Sequence, residues 1–213
     1  MKSLAMNKYY SHARSEMLDF IPQDAGKILD VGCGEGSFSL SMKKKFNAEV
    51  WGVEINKSAS EIAKQNIDKI LAGEILTVID IIPNGYFDCI VFNDVLEHMV
   101  DPYAVLEKVK VKLTPVGVIV CSIPNVRHIN VLKKLLIEGQ WKYEDEGIID
   151  KTHLRFFTKK SIVDMFNNLD FRIIRIEGIN ETKWWKFLPI NILTLGLMSD
   201  ARYIQFSCVV KPK

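Results

Sequence analysis

A chain of 213 residues, 48% hydrophobic and 25% charged, has the composition of one ordinary globular domain with material for a substantial core. Twenty-eight Lys and Arg against 26 Asp and Glu leave a formal charge of +2, which excludes the basic excess of a dedicated nucleic-acid binder. No signal-peptide core opens the sequence, the longest apolar run (187–198) falls short of the ~20 residues of a bilayer span, and four cysteines without CxxC spacing give no zinc pattern, so a cytoplasmic chain without a metal is expected.

In chain order, Tyr10, Ala13, Met17, Leu18 and Ile21 keep a helical period that stops at Pro22, so residues 1–26 are expected to form a helical N-terminal cap. A short buried strand follows at 27–31, then a helix at 37–46 with lysines in its last turn, where the helix dipole favours them. A second strand is expected at 48–54. Residues 57–71 place Ala59, Ile62, Ala63, Ile67 and Ile70 on one side and predict an amphipathic helix. Third and fourth strands are expected at 74–80 and 86–94. Asp101-Pro102 is a cap followed by proline at the first helical position, with Val105, Leu106, Val109 and Leu113 behind it. A β-branched strand follows at 117–123. Thr158 caps a helix carrying Ile162, Val163, Phe166 and Leu169, and two late strands are expected at 171–178 and 202–211. Cys89, Cys121 and Cys208 lie inside apolar runs and read as small core residues.

Strands alternating with helices predict an α/β fold, a doubly wound and mostly parallel seven-stranded sheet. The last two strands lack a clear crossover helix, so one strand near an edge is expected to run antiparallel. Ligands of such sheets bind beyond the carboxyl ends of the strands. The residues there are suggestive. Gly32, Gly34 and Gly36 follow the first strand in G-x-G-x-G spacing, whereas a dinucleotide loop needs its third glycine one residue later, at Ser37. Asp30 would repel a pyrophosphate. It would attract the sulfonium and ammonium of S-adenosylmethionine. Glu54, after the second strand, can accept both ribose hydroxyls, and Asp80 can accept from the adenine amino group. Each acid alone has an ordinary reading as a cap or turn former; three acids and three glycines in this order are what favour the cationic nucleoside.

"ILDVGCGEG" (28–36) resembles the first motif of class I S-adenosylmethionine-dependent methyltransferases, "GVEIN" (52–56) their second and "FDCIVFNDVLEHMVDP" (87–102) their fourth. The resemblance covers roughly 27–178 and is to the branch that includes the ubiquinone-biosynthesis O-methyltransferases; "DKTHLRFFTKKSI" (150–162) resembles members of bacterial surface-polysaccharide pathways. It implies a Rossmann-like methyltransferase fold. It also implies a cofactor set of Asp30, Gly32, Cys33, Gly34, Glu54, Ile55, Asp80 and Asn93.

A hydroxyl acceptor calls for a base. His153 is the first candidate, His98 and Arg155 are close to it in kind, and His128 and His12 are weaker. The segments 124–158 and 179–201 are expected to shape or cover the acceptor side. Trp184 and Trp185 begin an apolar stretch to 198 that reads as a lid, a homodimer contact or a peripheral membrane patch, with core packing as the plain alternative. The expectation is methyl transfer to a small molecule, on oxygen, with a sugar or surface-polysaccharide intermediate suggested by the resemblance. An NAD-dependent oxidoreductase and a non-catalytic S-adenosylmethionine-binding domain are the alternatives.

Overall fold

The structure, a computed structural model, describes residues 14–213. Residues 1–13 of the expected N-terminal cap, His12 among them, lie outside the described residues. The part that is described is a 3-10 turn, Ser15–Asp19, with Met17 and Ile21 buried.

The sheet is built from β1 (Lys27–Val31), β2 (Glu49–Glu54), β3 (Lys69–Ala72), β4 (Phe87–Asn93), β5 (Leu113–Pro124), β6 (Phe171–Glu181) and β7 (Tyr203–Pro212). Its order is β3-β2-β1-β4-β5-β7-β6, parallel throughout except that β7 runs against both its neighbours. The helices are α1 (Ser37–Phe46), α2 (Lys57–Ala63), α3 (Ile75–Val78), α4 (Pro102–Lys110), α5 (Ile129–Leu136), α6 (Lys159–Asn168) and α7 (Trp184–Leu193).

Alternate residues of the central strands feed two cores. Leu29, Ile90, Phe92 and Ile119 face α4 and α6. Ile28, Val50, Cys89 and Val120 face α1 and Met17. A strand buried on both faces needs no polar alternation, which is why these segments read as continuous apolar runs. Asp101 caps α4 through Ala104 N at 3.0 Å, and Val105, Leu106 and Val109 are buried along one stripe, worth about 1.5–3 kcal/mol each as an upper figure. Thr158 caps α6 in a reciprocal capping box with Ser161. Cys89, Cys121 and Cys208 are buried free thiols, as expected.

Several elements differ from expectation, among them α7, a helix where no clear helix was expected between the last two strands. The third strand is 69–72, not 74–80. The expected helix 57–71 stops at Ala63 because Asp68 turns back to accept from Val50 N at 2.9 Å and opens the strand beside β2. Residues 75–81 are helical instead: Ile75, Val78, Ile79 and the following Ile82 are all buried, at i, i+3, i+4, i+7 spacing. Leu113, expected on the helix, opens β5, which begins four residues before the expected start; the register shift opposite Phe87 and Cys89 absorbs the irregular passage through Pro115.

Candidate active site

β1, β2 and β4 end side by side, and the loops that leave them are fastened to one another. Gly32 N and Cys33 N both donate to Val53 O, at 2.8 and 3.2 Å, and Gly36 N donates to Cys33 O at 2.9 Å. Gly32, Gly34 and Gly36 have φ of 76°, 55° and 80°, the left-handed region where a side chain is strained. A Cβ on Gly32 would also lie 2.6 Å from a Val95 methyl, so the glycine loop and the loop after β4 are in direct contact. Behind them, Gly52 leaves room for Cys33: a Cβ there would sit 2.6 Å from the Cys33 sulfur and 2.7 Å from Ile67. Cys33 is buried, and burial beside Asp30 and Glu54 raises its thiol pKa. It is a packing residue.

Glu54 is 5% exposed. One carboxylate oxygen accepts from Gly34 N at 2.8 Å and the other from Asn56 N at 2.7 Å, so this acid holds the glycine loop against the turn into α2. Each oxygen keeps a further lone pair for a ribose hydroxyl. Asp30 lies within β1, buried, and accepts from Ser39 Oγ of α1 at 2.5 Å. Burial raises its pKa to about 7, opposed by the Ser39 hydrogen bond and reinforced by the charge of Glu54. Ile55 is 71% exposed beside Glu54 and offers an apolar surface at the rim. Asp80 is exposed in the 3-10 turn Ile79–Ile81, well past the end of β3. The acid that follows that strand is Glu74, which the misplaced strand concealed. It sits after Gly73, whose N–H donates to Glu54 O at 2.9 Å.

Asn93 ends β4, and neither atom of its buried amide has a hydrogen-bond partner among the described residues. Asp94 follows with φ 54° and accepts from Ser122 Oγ (2.9 Å), Gln205 Nε2 (2.7 Å) and the Arg14 guanidinium, tying the N-terminal segment to this loop. The 3-10 turn Leu96–His98 then buries Glu97, 1% exposed. Its carbonyl accepts from Leu154 N and Arg155 N at 2.8 and 3.0 Å, but neither carboxylate oxygen has a partner among the described residues. Burial raises its pKa to about 8, with the charge of Arg14 opposing and that of Asp150 reinforcing.

The segment 150–157 is laced over this turn and delivers His153 to Glu97 and His98. The His98 and His153 rings meet edge to face at 4.6 Å, and the ligand-type atoms of Glu97, His98 and His153 lie within 4.8 Å of one another. Burial, with the neighbouring imidazole of His153, lowers the pKa of His98. His153 Nδ1 meets Ile148 O at 3.0 Å and His98 Nδ1 meets Thr152 O at 3.2 Å. A carbonyl can only accept, so His153 Nδ1 carries the hydrogen and its Nε2 the lone pair; the Thr152 hydroxyl also stands 3.2 Å from His98 Nδ1. Two charged groups of this segment, one of them the expected Arg155, do not join the cluster with their charges. The exposed Arg155 guanidinium donates to Val100 O, at 3.2 Å from Nε and 2.5 Å from Nη2, and acts as a strap. Asp150 accepts from Thr152 N and Oγ1, both at 2.6 Å, and shapes the turn before His153. His128 is the N-cap residue of α5; its Nε2 pairs with Thr182 Oγ1 at 2.8 Å, and burial lowers its pKa.

Phe156 continues from His153 to Trp141, with ring centroids 5.2 Å apart, and to Tyr143 at 6.3 Å, so aromatic faces stand beside the imidazoles. The side chains of Trp184 and Trp185 lie outside the description. Leu188, Ile192, Leu193, Leu195 and Leu197 of the following stretch are exposed rather than packed in the core. No helix among the described residues is long and apolar enough to cross a membrane.

Residues 4–176 match a family described as a methyltransferase domain. A ubiquinone biosynthesis O-methyltransferase of Vibrio campbellii is 28% identical over 187 residues, covering 84% of this chain and 75% of that protein. One from Actinobacillus pleuropneumoniae is 31% identical over 122 residues, 51% of this chain and 52% of its own length. Among solved structures, an S-adenosylmethionine-dependent methyltransferase of Archaeoglobus fulgidus superimposes with a TM-score of 0.73 at 20% identity, covering 100% of this chain and 99% of that one. A possible histamine N-methyltransferase of Thermotoga maritima gives 0.68 at 15% identity, covering 98% and 96%. The donor set fits that cofactor: the buried carboxylates Asp30 and Glu54 and the unpaired Asn93 amide suit a cationic nucleoside and would burden a pyrophosphate. The chain belongs to the methyltransferase-domain family and is an S-adenosylmethionine-dependent methyltransferase, not an oxidoreductase.

Proposed function

We propose that this enzyme methylates a hydroxyl oxygen on the ring of a small molecule, with the cofactor over β1, β2 and β4 and the acceptor beside Glu97, His98 and His153. Asp30 and the glycine loop would face the amino-acid end of the cofactor, Glu54 the ribose, Glu74 and Ile55 the adenine, and Asn93 the edge nearest the acceptor. When bound, the cofactor supplies an electrophilic methyl: the acceptor oxygen's lone pair forms the new O–C bond as the C–S bond breaks and its pair returns to a neutral thioether. What remains for the chain is to orient the acceptor, exclude water and dispose of the hydroxyl proton.

The observation that carries this reading is the convergence of Glu97, His98 and His153 within 4.8 Å, starting two residues beyond the contact between Val95 and the glycine loop. The two imidazoles next to these loops suit an acceptor that must lose a proton. Phe156, Trp141 and Tyr143 offer flat faces for a phenolic ring or the apolar face of a sugar. The O-methyltransferase relatives support oxygen as the target.

The test is methyl transfer from labelled cofactor to ortho-diphenols and, in parallel, to nucleotide sugars, for wild type and His153→Ala. A labelled ether product, with His153→Ala lowering kcat about 10²–10⁴-fold at unchanged cofactor affinity, is expected. Label on nitrogen or carbon, or full activity of His153→Ala, would contradict it.

A further inference from the structure

We propose that Glu97, His98 and His153 bind one divalent transition-metal ion of the Zn²⁺, Mn²⁺, Fe²⁺ or Co²⁺ class, placed to hold the acceptor oxygen. The clause about the acceptor rests on the function proposed above; the ion site does not.

Three features point to a cation. First, the donor set is two imidazoles and one carboxylate, whose ligand atoms already lie within 4.8 Å of one another. Bonds of about 2.1 Å put neighbouring ligands about 3.0–3.4 Å apart, so closure asks for no more than about 1.5 Å of side-chain movement. Second, Glu97 is 1% exposed, and neither of its carboxylate oxygens has a hydrogen-bond partner among the described residues. A buried carboxyl without a partner is costly, and a cation is the partner that relieves it most. Third, both imidazoles are oriented as ligands usually are. Ile148 O holds His153 Nδ1 at 3.0 Å, which leaves that ring's lone pair on Nε2, and the carbonyl and hydroxyl of Thr152 both meet His98 Nδ1 at 3.2 Å and fix its ring.

Nitrogen donors select against Mg²⁺ and Ca²⁺, which prefer all-oxygen sites. Three protein ligands leave at least one position open, the arrangement of a reactive rather than a structural site. An acceptor hydroxyl in that position loses its proton more readily, because the ion stabilises the oxygen anion. Glu97-His98 and His153 come from separate loops and match no short ligand spacing, so no motif announces the site.

The experiment strips the whole chain with a chelator, then titrates it with Co²⁺ and follows the visible d–d bands and the bound metal by elemental analysis. One Co²⁺ per chain is expected, displaced by Zn²⁺. Glu97→Gln and His153→Asn are each expected to lower affinity at least about tenfold. If a variant melts without a cooperative transition, the wild type still decides. Bound Co²⁺ must shift the ring resonances of His98 and His153 and leave those of His128 unshifted. Dissociation weaker than about 1 mM, unchanged affinity in folded variants, or unshifted ring resonances would overturn the proposal. Cofactor affinity of the stripped protein, measured alongside, separates the readings. Normal cofactor binding with no Co²⁺ site sinks only the metal. A Co²⁺ site in an enzyme that transfers methyl to nitrogen or carbon alone sinks only the hydroxyl acceptor.

Discussion

Asp30 and Glu54 are both buried, yet they do different work. Glu54 spends both oxygens on main-chain N–H groups of the cofactor loops. Glu54→Ala therefore removes a ribose acceptor and leaves two buried donors unpaired. Cofactor binding should weaken by ~1–3 kcal/mol, with a loss of folding stability of similar size, read by calorimetry and chemical denaturation. Asp30 has only Ser39 to offset its burial, and its pKa stands at about 7. Folding holds that proton more tightly than the unfolded chain does. The stabilisation is complete below about pH 4 and is lost as pH rises through about 7. Cofactor binding has the opposite sign, because the ionised carboxylate attracts a cation: affinity should rise through about pH 7 and then level off. In Asp30→Asn both trends should flatten; a pH profile unchanged from wild type would remove Asp30 from the cradle. Both acids were legible because each sits one step from a strand end, where local pattern fixes the position. Glu97 was not. Inside "DVLEH" it looks like a solvated loop acid, and only a segment more than fifty residues on, laced across it by main-chain hydrogen bonds, buries it.

Short segments with two readings produced the errors, and the ones with caps did not. α1, β1 and α6 fall where glycine, a buried strand and Thr158 place them. β3 was misplaced because Ile67 and Ile70 fit a helical stripe as well as a strand, and because the true helical stripe, Ile75 to Ile82, is rich in residues that favour strands. With the strand at 69–72, Glu74 rather than Asp80 is the acid that follows it, and Glu74 is the one proposed to face the adenine. Glu74→Ala is therefore expected to weaken cofactor binding while Asp80→Ala leaves it unchanged; the reverse result would restore the original assignment. Gly52 tests the packing beneath the loop. Gly52→Ala drives a methyl into Cys33 and Ile67, and a destabilisation of about 1–3 kcal/mol with weakened cofactor binding is expected from melting and calorimetry. Thr158→Ala should cost about 1 kcal/mol through the lost cap, visible as a lower melting temperature.

The sheet order β3-β2-β1-β4-β5-β7-β6 brings the glycine loop, Glu54 and the turn after β4 to one edge, although they come from distant parts of the sequence. Alternation of strands and helices made that architecture legible, and the reversed strand was expected correctly although its premise fails, since the helix α7 does lie between β6 and β7. The acceptor wall was less legible, because segments 124–158 and 179–201 are placed by long-range hydrogen bonds rather than by their own periodicity. The most direct test is calorimetric titration of S-adenosylmethionine and, separately, NAD into wild type and Glu54→Ala. One equivalent of the methyl donor should bind wild type, about 10–100-fold more weakly in the variant, with no NAD binding. Equal affinity of the two proteins for the methyl donor, or a dinucleotide bound in its place, would contradict the assignment of these residues.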